Sequence, residues 1–182
     1  MEQDELRKLE EKCIQECMPP CTAACPVHVD VRSVNGYIAH GDYAAALKLL
    51  RRTLPFPALL GCICDQPCRK ACNRSRAGGS MEIAALERAC ALSADMLPSK
   101  TVVLPARGKS VAVIGSGLSG LTAAFDLRKK GYDITVFEAE GCLGGSIHAF
   151  EGNKLITESI ERELAVLHTM GVTVRLHTQA DA

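Results

Sequence analysis

Ser110-Val-Ala-Val-Ile114-Gly115-Ser116-Gly117-Leu118-Ser119-Gly120 is a short apolar run that feeds directly into three glycines at G-x-G-x-x-G spacing. The run reads as a strand, and the residues from about Ser119 to Lys130 read as a helix. Gly131 follows, and Asp133-Ile-Thr-Val-Phe137 reads as a second strand ending at Glu138. Strand, glycine turn, helix and strand, with an acid about 20 positions beyond the glycines, are the context a dinucleotide-binding turn requires. Gly115 suits the tight turn, Gly117 lets the backbone approach a pyrophosphate, and Gly120 lets helix and strand pack closely. The helix start at Leu118 and Ser119 offers amides and partial positive charge to phosphates. Glu138 is placed to accept hydrogen bonds from ribose hydroxyls, which disfavours a 2′-phosphate there.

Beyond this unit, Glu138-Ala-Glu-Gly-Cys-Leu-Gly144-Gly145 brings a glycine pair after the second strand, which favours FAD over NAD as the dinucleotide. A helix from about Leu155 to Met170 and a strand Val172 to Leu176 continue a parallel α/β pattern. Cys142 has no CxxC partner and reads as a turn residue. Toward the N-terminus, Pro98 to Lys109, with Pro105 and Gly108, reads as a linker.

The first 97 residues follow a different pattern. In Cys13-Ile-Gln-Glu-Cys17-Met-Pro-Pro-Cys21-Thr-Ala-Ala-Cys25-Pro26, three residues separate each cysteine from the next. On one helix these thiols would form a drifting stripe. Pro19 and Pro20 stop a helix of about Glu2 to Glu16 near Met18, so the chain turns between Cys17 and Cys21 and the thiols can converge. A second group follows, Cys64-Asp65-Gln-Pro67-Cys68-Arg-Lys-Ala-Cys72, with Cys62 just before it. Asp65 is a candidate N-cap and Pro67 suits a first turn, which would put Cys68 and Cys72 on one face of a short helix. Two four-ligand sites need eight groups, and the two stretches hold seven cysteines with Cys62 set aside. Between and beyond them, Asp30 and Asp42 read as caps of two helices, the second running from Tyr43 to Arg52. Leu54 to Gly61, with two prolines, reads as extended, Asn73 to Ser80 as a loop, and Met81 to Met96 as a helix carrying Glu87 and Cys90.

The 182 residues carry no formal net charge and are 47% hydrophobic, which suits one or two globular domains and gives no basic surplus for nucleic acid. With no tryptophan and 4% aromatic residues, metal centres would serve as internal staples. The charged N-terminus and the lack of any run of about 18 uncharged apolar residues imply no membrane insertion and a cytoplasmic location. In that compartment clustered cysteines point to metal ligands rather than disulfides. His28, His40, His148, His168 and His177 are scattered without a partner motif, and no catalytic side chain is assigned. Arg128-Lys129-Lys130 reads as a solvated helix end.

The Cys25-Pro-Val, Gly41-Asp-Tyr-Ala-Ala-Ala-Leu47, Pro55-Phe-Pro57, Gln66-Pro-Cys-Arg-Lys-Ala-Cys-Asn-Arg74 and Ile83-Ala-Ala-Leu-Glu87-Arg88 stretches, together with the glycine turn, span nearly the whole chain. They resemble the glutamate synthase small subunit and dihydropyrimidine dehydrogenase N-terminal family of NAD(P)H-dependent FAD and iron–sulfur oxidoreductases. The resemblance implies an α plus α/β architecture: an α-helical ferredoxin-like domain over residues 1–97, a linker over 98–109 and part of a Rossmann-like FAD-binding domain over 110–182. It implies two [4Fe-4S] clusters with interleaved ligands, one held by Cys13, Cys17, Cys21 and Cys72, the other by Cys25, Cys64, Cys68 and Glu87. A cysteine followed by proline serves the other cluster in two-cluster ferredoxins. Lys154 would stand where the family has an FAD-contacting arginine. Electrons from NAD(P)H, bound outside this chain, would pass between FAD and the clusters to a partner domain or subunit, and the chain alone would turn over little.

Three departures from the family pattern stand out. The first two cysteines are spaced by three residues rather than two. Cys62 stands where relatives often have Arg, and Cys90 lies one turn beyond Glu87, so either could replace a ligand. Ile147 to Ile156 replaces the family's usual stretch after the flavin glycines. Two other readings fit the same residues: a zinc-structured interaction module attached to a nucleotide-binding fragment, and a dinucleotide-binding scaffold without catalysis.

Overall fold

A computed structural model of the chain describes residues 3–5, 8, 17–94, 101–150 and 154–180. The chain divides into two compact units, Met1–Ser99 and Lys100–Ala182.

The first unit is helical: α1 (Pro20–Ala24), α2 (Val31–Ala39), α3 (Tyr43–Leu50), α4 (Pro57–Ile63), α5 (Pro67–Lys70), a 3-10 turn (Asn73–Ala77) and α6 (Ile83–Ala94). The caps are those the sequence suggests. The Asp30 carboxylate accepts from the Ser33 amide at 3.1 Å, and Asp42 accepts from the Ala45 amide at 2.9 Å. Val31, Val34, Ala46, Leu47 and Leu50 from α2 and α3 meet Ala58 of α4 and Ile83, Cys90 and Ala91 of α6 in one apolar core. Most of the expected helix over 2–16 lies outside the described residues, where positions 3–5 and 8 are helical.

Three local expectations need correction. Leu54 to Gly61 is not extended throughout, because α4 begins at Pro57. A proline at the first helical position loses no hydrogen bond, since that N–H has no helical partner. Asp65 is not the cap of α5; Gln66 holds that place, with φ +53° and ψ +54°, and no side chain caps the helix. α5 stops at Lys70, so Cys72 lies beyond it on extended backbone rather than on a shared helical face.

The second unit contains β1 (Ser110–Ile114), α7 (Leu118–Lys129), β2 (Asp133–Phe137), a 3-10 turn (Gly145–Phe150), α8 (Lys154–Thr169) and β3 (Thr173–Arg175). The strands form one parallel sheet in the order β1-β2-β3, with Ser110 opposite Asp133 and Thr135 opposite Thr173. Ile134 and Val136 of the central strand are buried, as are Leu121, Ala124 and Phe125 of α7 and Ile160 and Leu167 of α8. This is a strand–helix–strand unit with its apolar faces turned inward.

Arg128 is not a solvated helix end. Its Nε donates to the Met170 carbonyl at 2.6 Å and its Nη1 to the Tyr132 carbonyl at 3.1 Å, which ties the ends of α7 and α8 to the start of β2. Residues 101–109 lack regular structure, yet the Leu104 amide donates to the Lys129 carbonyl and the Arg107 amide to the Gly131 carbonyl, each at 2.9 Å. The Arg107 guanidinium also lies over the Tyr132 ring, 5.2 Å from its centre. Among the described residues no helix is long and apolar enough to cross a membrane.

Candidate cofactor sites

In the first unit the cysteines converge because helix ends, not helix faces, carry them. Cys21 is in α1, Cys25 caps its C-terminus, Cys64 caps the C-terminus of α4, and Cys68 lies in α5. α1 packs on α5, and α4 packs on α6, which carries Glu87. Two stretches some forty residues apart in sequence thus meet. Cys21 is pushed up from its ordinary pKa, chiefly by burial, with Cys72 close enough to add to the effect. Cys68 is pushed up to about 11, first by burial, then by the charge of Glu87, with smaller contributions from Cys25 and Cys64. Burial likewise raises the Glu87 carboxyl to about 7, against the pull of Arg88.

These groups resist ionising one by one, and a cationic centre would reverse that by compensating several at once. The donor set therefore fits an iron–sulfur centre. Among the described residues no three Cys, His, Asp or Glu side chains stand close enough to hold a single ion.

The remaining cysteines differ in setting. Cys13 lies outside the described residues, Cys17 is exposed, and Cys62 is half-buried. Cys90 is 0% exposed, its S–H donates to the Tyr43 carbonyl at 3.5 Å, and burial pushes its pKa to about 11. It behaves as a core side chain of the α3–α6 contact. Cys142 is exposed. The Cys25-Pro26 turn is pinned from both sides: Thr22 Oγ1 donates to the Val29 carbonyl at 2.9 Å, and a ring nitrogen of His28, itself at φ +49°, lies 3.2 Å from the Thr22 carbonyl. Nothing in the local sequence pattern signals this role for His28.

In the second unit the turn between β1 and α7 has Gly115 at φ +84°, a conformation that favours glycine. A Cβ on Gly120 would lie 2.1 Å from the Gly115 carbonyl oxygen, whereas one on Gly117 would meet nothing within 4 Å. The open space at Gly117, beside the amides that begin α7, is the side from which an anionic group can approach. Ser116 is fully buried and links three segments. Its amide and hydroxyl donate to Glu138 Oε2 at 2.7 and 2.5 Å, and its hydroxyl accepts from the Gly144 amide at 3.2 Å.

The glycine pair has reasons inside the protein. A Cβ on Gly144 would come within 3.1 Å of the His148 ring, and one on Gly145 within 3.2 Å of Gly117 Cα. His148 Nε2 donates to the Leu143 carbonyl at 2.7 Å, so the imidazole braces this loop from within. Lys154 begins α8, and its side chain lies outside the described part.

Glu138 is 8% exposed, and Glu140 N–H donates to its Oε1 at 2.9 Å. That donor, then the Ser116 hydroxyl and the Ser116 amide, hold the carboxyl down at about 2 against an ordinary 4.5. Three hydrogen bonds from Ser116 and Glu140 fall on the carboxylate, and the Ala139 amide adds a weaker pull. A carboxyl held at about 2 rather than 4.5 carries about 3 kcal/mol of stability that is fully present above pH 4.5 and fades as the pH falls through 2. Amide exchange in β1 and β2 between pH 2 and 6 should show this loss of protection. Glu138→Gln should flatten the profile and be less protected than wild type at the upper end.

Residues 1–97 match the family described as dihydropyrimidine dehydrogenase domain II, 4Fe-4S cluster. The chain belongs to this family. Residues 113–177 match the NAD(P)-binding Rossmann-like domain. The β subunit of NADP(+)-dependent formate dehydrogenase from Moorella thermoacetica is similar, 27% identical over 88% of this chain and 26% of its own length. So is the β subunit of NADPH-Fe(3+) oxidoreductase from Geobacter sulfurreducens, 28% identical over 91% of this chain and 25% of its own. The small chain of glutamate synthase [NADPH] from Bacillus subtilis is 28% identical over 87% of this chain and 33% of its own. The chain thus spans between a quarter and a third of these relatives. The family's 4Fe-4S region coincides with the helical unit, and the nucleotide-binding match falls within the parallel sheet unit.

Proposed function

We propose that this chain is the electron-input module of an NAD(P)H-dependent oxidoreductase, in which the helical unit holds two [4Fe-4S] clusters and the sheet unit binds the adenine dinucleotide part of FAD. The observation that carries the reading is the grouping of ligands from distant sequence: Cys21 beside Cys72, and Cys68 beside Cys25, Cys64 and Glu87. The match of residues 1–97 to a family described by its 4Fe-4S cluster favours iron–sulfur over zinc. Cys13 and Cys17 complete the first set in this reading, and Glu87 stands in for a thiolate in the second, keeping the ligand charge but replacing a soft sulfur donor by a hard oxygen, which alters that cluster's potential.

A bound flavin supplies the conversion between a two-electron hydride donor and one-electron carriers. This chain's residues do the holding. Gly115 to Gly120 and the amides of Leu118 and Ser119 receive the pyrophosphate, and Glu138 at the end of β2 accepts a ribose hydroxyl. The nicotinamide site lies outside this chain, and a partner domain or subunit takes the electrons. The relatives are named as subunits of larger oxidoreductases, which supports that division of labour.

Anaerobic reconstitution with iron, sulfide and zinc analysis tests the reading. About eight irons and eight sulfides per chain, with a brown chromophore, are expected for two [4Fe-4S] clusters. One or two zinc ions without sulfide would overturn it in favour of a structural metal domain. Glu87→Ala should shift the potential or occupancy of one cluster and leave the other as it was.

A further inference from the structure

We propose that the basic rim made by Lys70, Arg74 and Arg76 is the surface on which an acidic electron-accepting protein docks over the clusters. The proposal rests on Cys68 and Cys72 being cluster ligands, as proposed above. The chain carries as many acids as bases, 21 of each, yet from Gln66 to Met81 it has four bases and no acid. These are Arg69 and Lys70 in α5 and Arg74 and Arg76 in the 3-10 turn that follows, and all four are exposed. Arg69 pairs with Glu82 at 2.6 Å. Lys70, Arg74 and Arg76 make no ion pair or hydrogen bond among the described residues. Asp65 borders a cleft together with Arg69, Lys70 and Ser80. Four bases against Asp65 and Glu82 leave this stretch an excess of two positive charges in a chain that is otherwise balanced.

The covalent chain holds these cations beside the ligands. Lys70 is two residues from both Cys68 and Cys72, and Arg74 is two residues beyond Cys72. Two residues span at most about 7 Å, so the charges cannot lie elsewhere. Arg76 belongs to the same short turn as Arg74. Cys68 and Cys72 serve different clusters in the proposed sets, so the rim lies beside both points from which an electron can leave. The two thiols are buried and the cations exposed, so an approaching partner meets positive charge first. Three separate long side chains spread that charge over an area that suits an acidic protein face. Such a face is drawn in at long range, which speeds association at low salt and turns away basic proteins. One electron then passes from the reduced cluster to the partner's own one-electron centre, with no bond made or broken and no proton moved.

The test uses the whole chain, reconstituted anaerobically without flavin, then reduced and mixed with one of two one-electron acceptor proteins. Plant plastocyanin presents an acidic face, and mitochondrial cytochrome c presents a basic one. The variant combines Lys70→Gln, Arg74→Gln and Arg76→Gln. At about 0.01 M salt, where charges act over about 30 Å, the wild type should reduce plastocyanin about tenfold faster than at about 1 M. The variant should lose most of that advantage and should reduce cytochrome c faster than the wild type does. Opposite directions for the two acceptors separate docking from a change in driving force, because removing cations lowers the cluster potential and by itself would speed both reactions. The proposal is overturned if the variant moves both rates the same way, or if it keeps the wild-type salt dependence with plastocyanin. Should the triple variant lose iron, the three single variants carry the same test, each slowing plastocyanin about twofold at low salt. Wild-type protein that takes up zinc and no sulfide would instead overturn the iron–sulfur reading itself.

Discussion

Gly120→Ala is expected to destabilise the second unit by about 3 kcal/mol and to abolish adenine dinucleotide binding with it. Two effects oppose each other. Alanine is the better helix former by about 1 kcal/mol, and Gly120 lies in the first turn of α7. Its Cβ, however, would sit 2.1 Å from the Gly115 carbonyl oxygen and 3.4 Å from Val113 Cγ1. The first of these is backbone, so relief requires moving the β1–α7 turn, the part that faces a nucleotide. Overpacking wins. Gly36→Ala in α2 separates the effects, because a Cβ there meets nothing within 4 Å. That variant should hold or gain stability by about 0.5–1 kcal/mol. Thermal unfolding should show a fall of about 10 °C or more for Gly120→Ala. An unchanged midpoint with intact nucleotide affinity would mean that the turn yields where the geometry says it cannot.

Much of this fold is legible in local chemistry. The Asp30 and Asp42 caps, the strands around Val113 and Val136, and the glycine turn each depend on residues within a few positions of one another, and each forms as its pattern suggests. The misreadings come where the same residue serves two structural ends. Pro57 can end an extended run or begin a helix, and only the burial of Phe56, Ala58 and Leu59 in the helical core decides for α4. Asp65 has the chemistry of a cap, but Pro67 shifts the helix start by one residue and gives Gln66 that place.

The candidate sites divide in the same way. Which residues could bind a group is visible in spacing, whereas what holds them is not. Ser116 reaching across to Glu138, His148 bracing Leu143, and Arg128 tying two helices to β2 are contacts between residues 4 to 42 positions apart, with backbone carbonyls as frequent partners. A carbonyl has no side-chain signature, so such contacts leave no motif. Glu138 shows the consequence. Its place at the strand end is predictable, yet its carboxylate is largely committed to the protein, so it holds the turn from within.

Gly61→Ala is expected to take iron in the reconstituted chain from about eight to about four, with a loss of about 2 kcal/mol in stability. Gly61 is the contact point of α4 and α6, and a Cβ there would lie 2.7 Å from both the Ala84 carbonyl oxygen and Arg88 Cγ. Arg88 can swing aside, although doing so breaks the hydrogen bond its Nη1 donates to the Gly61 carbonyl. Ala84 cannot, because its oxygen belongs to the α6 backbone. The helices must therefore separate. Cys64 caps the C-terminus of α4 and Glu87 lies on α6, so separation pulls apart two ligands proposed for one cluster. The other set, Cys13, Cys17, Cys21 and Cys72, is carried by neither helix and should remain filled. Iron and sulfide counts, with electron paramagnetic resonance to identify the surviving cluster, read the outcome. If both clusters disappear together, the two sets are one cooperative unit. If both persist at wild-type potential, Glu87 and Cys64 do not share a centre, and the eighth ligand must be sought elsewhere.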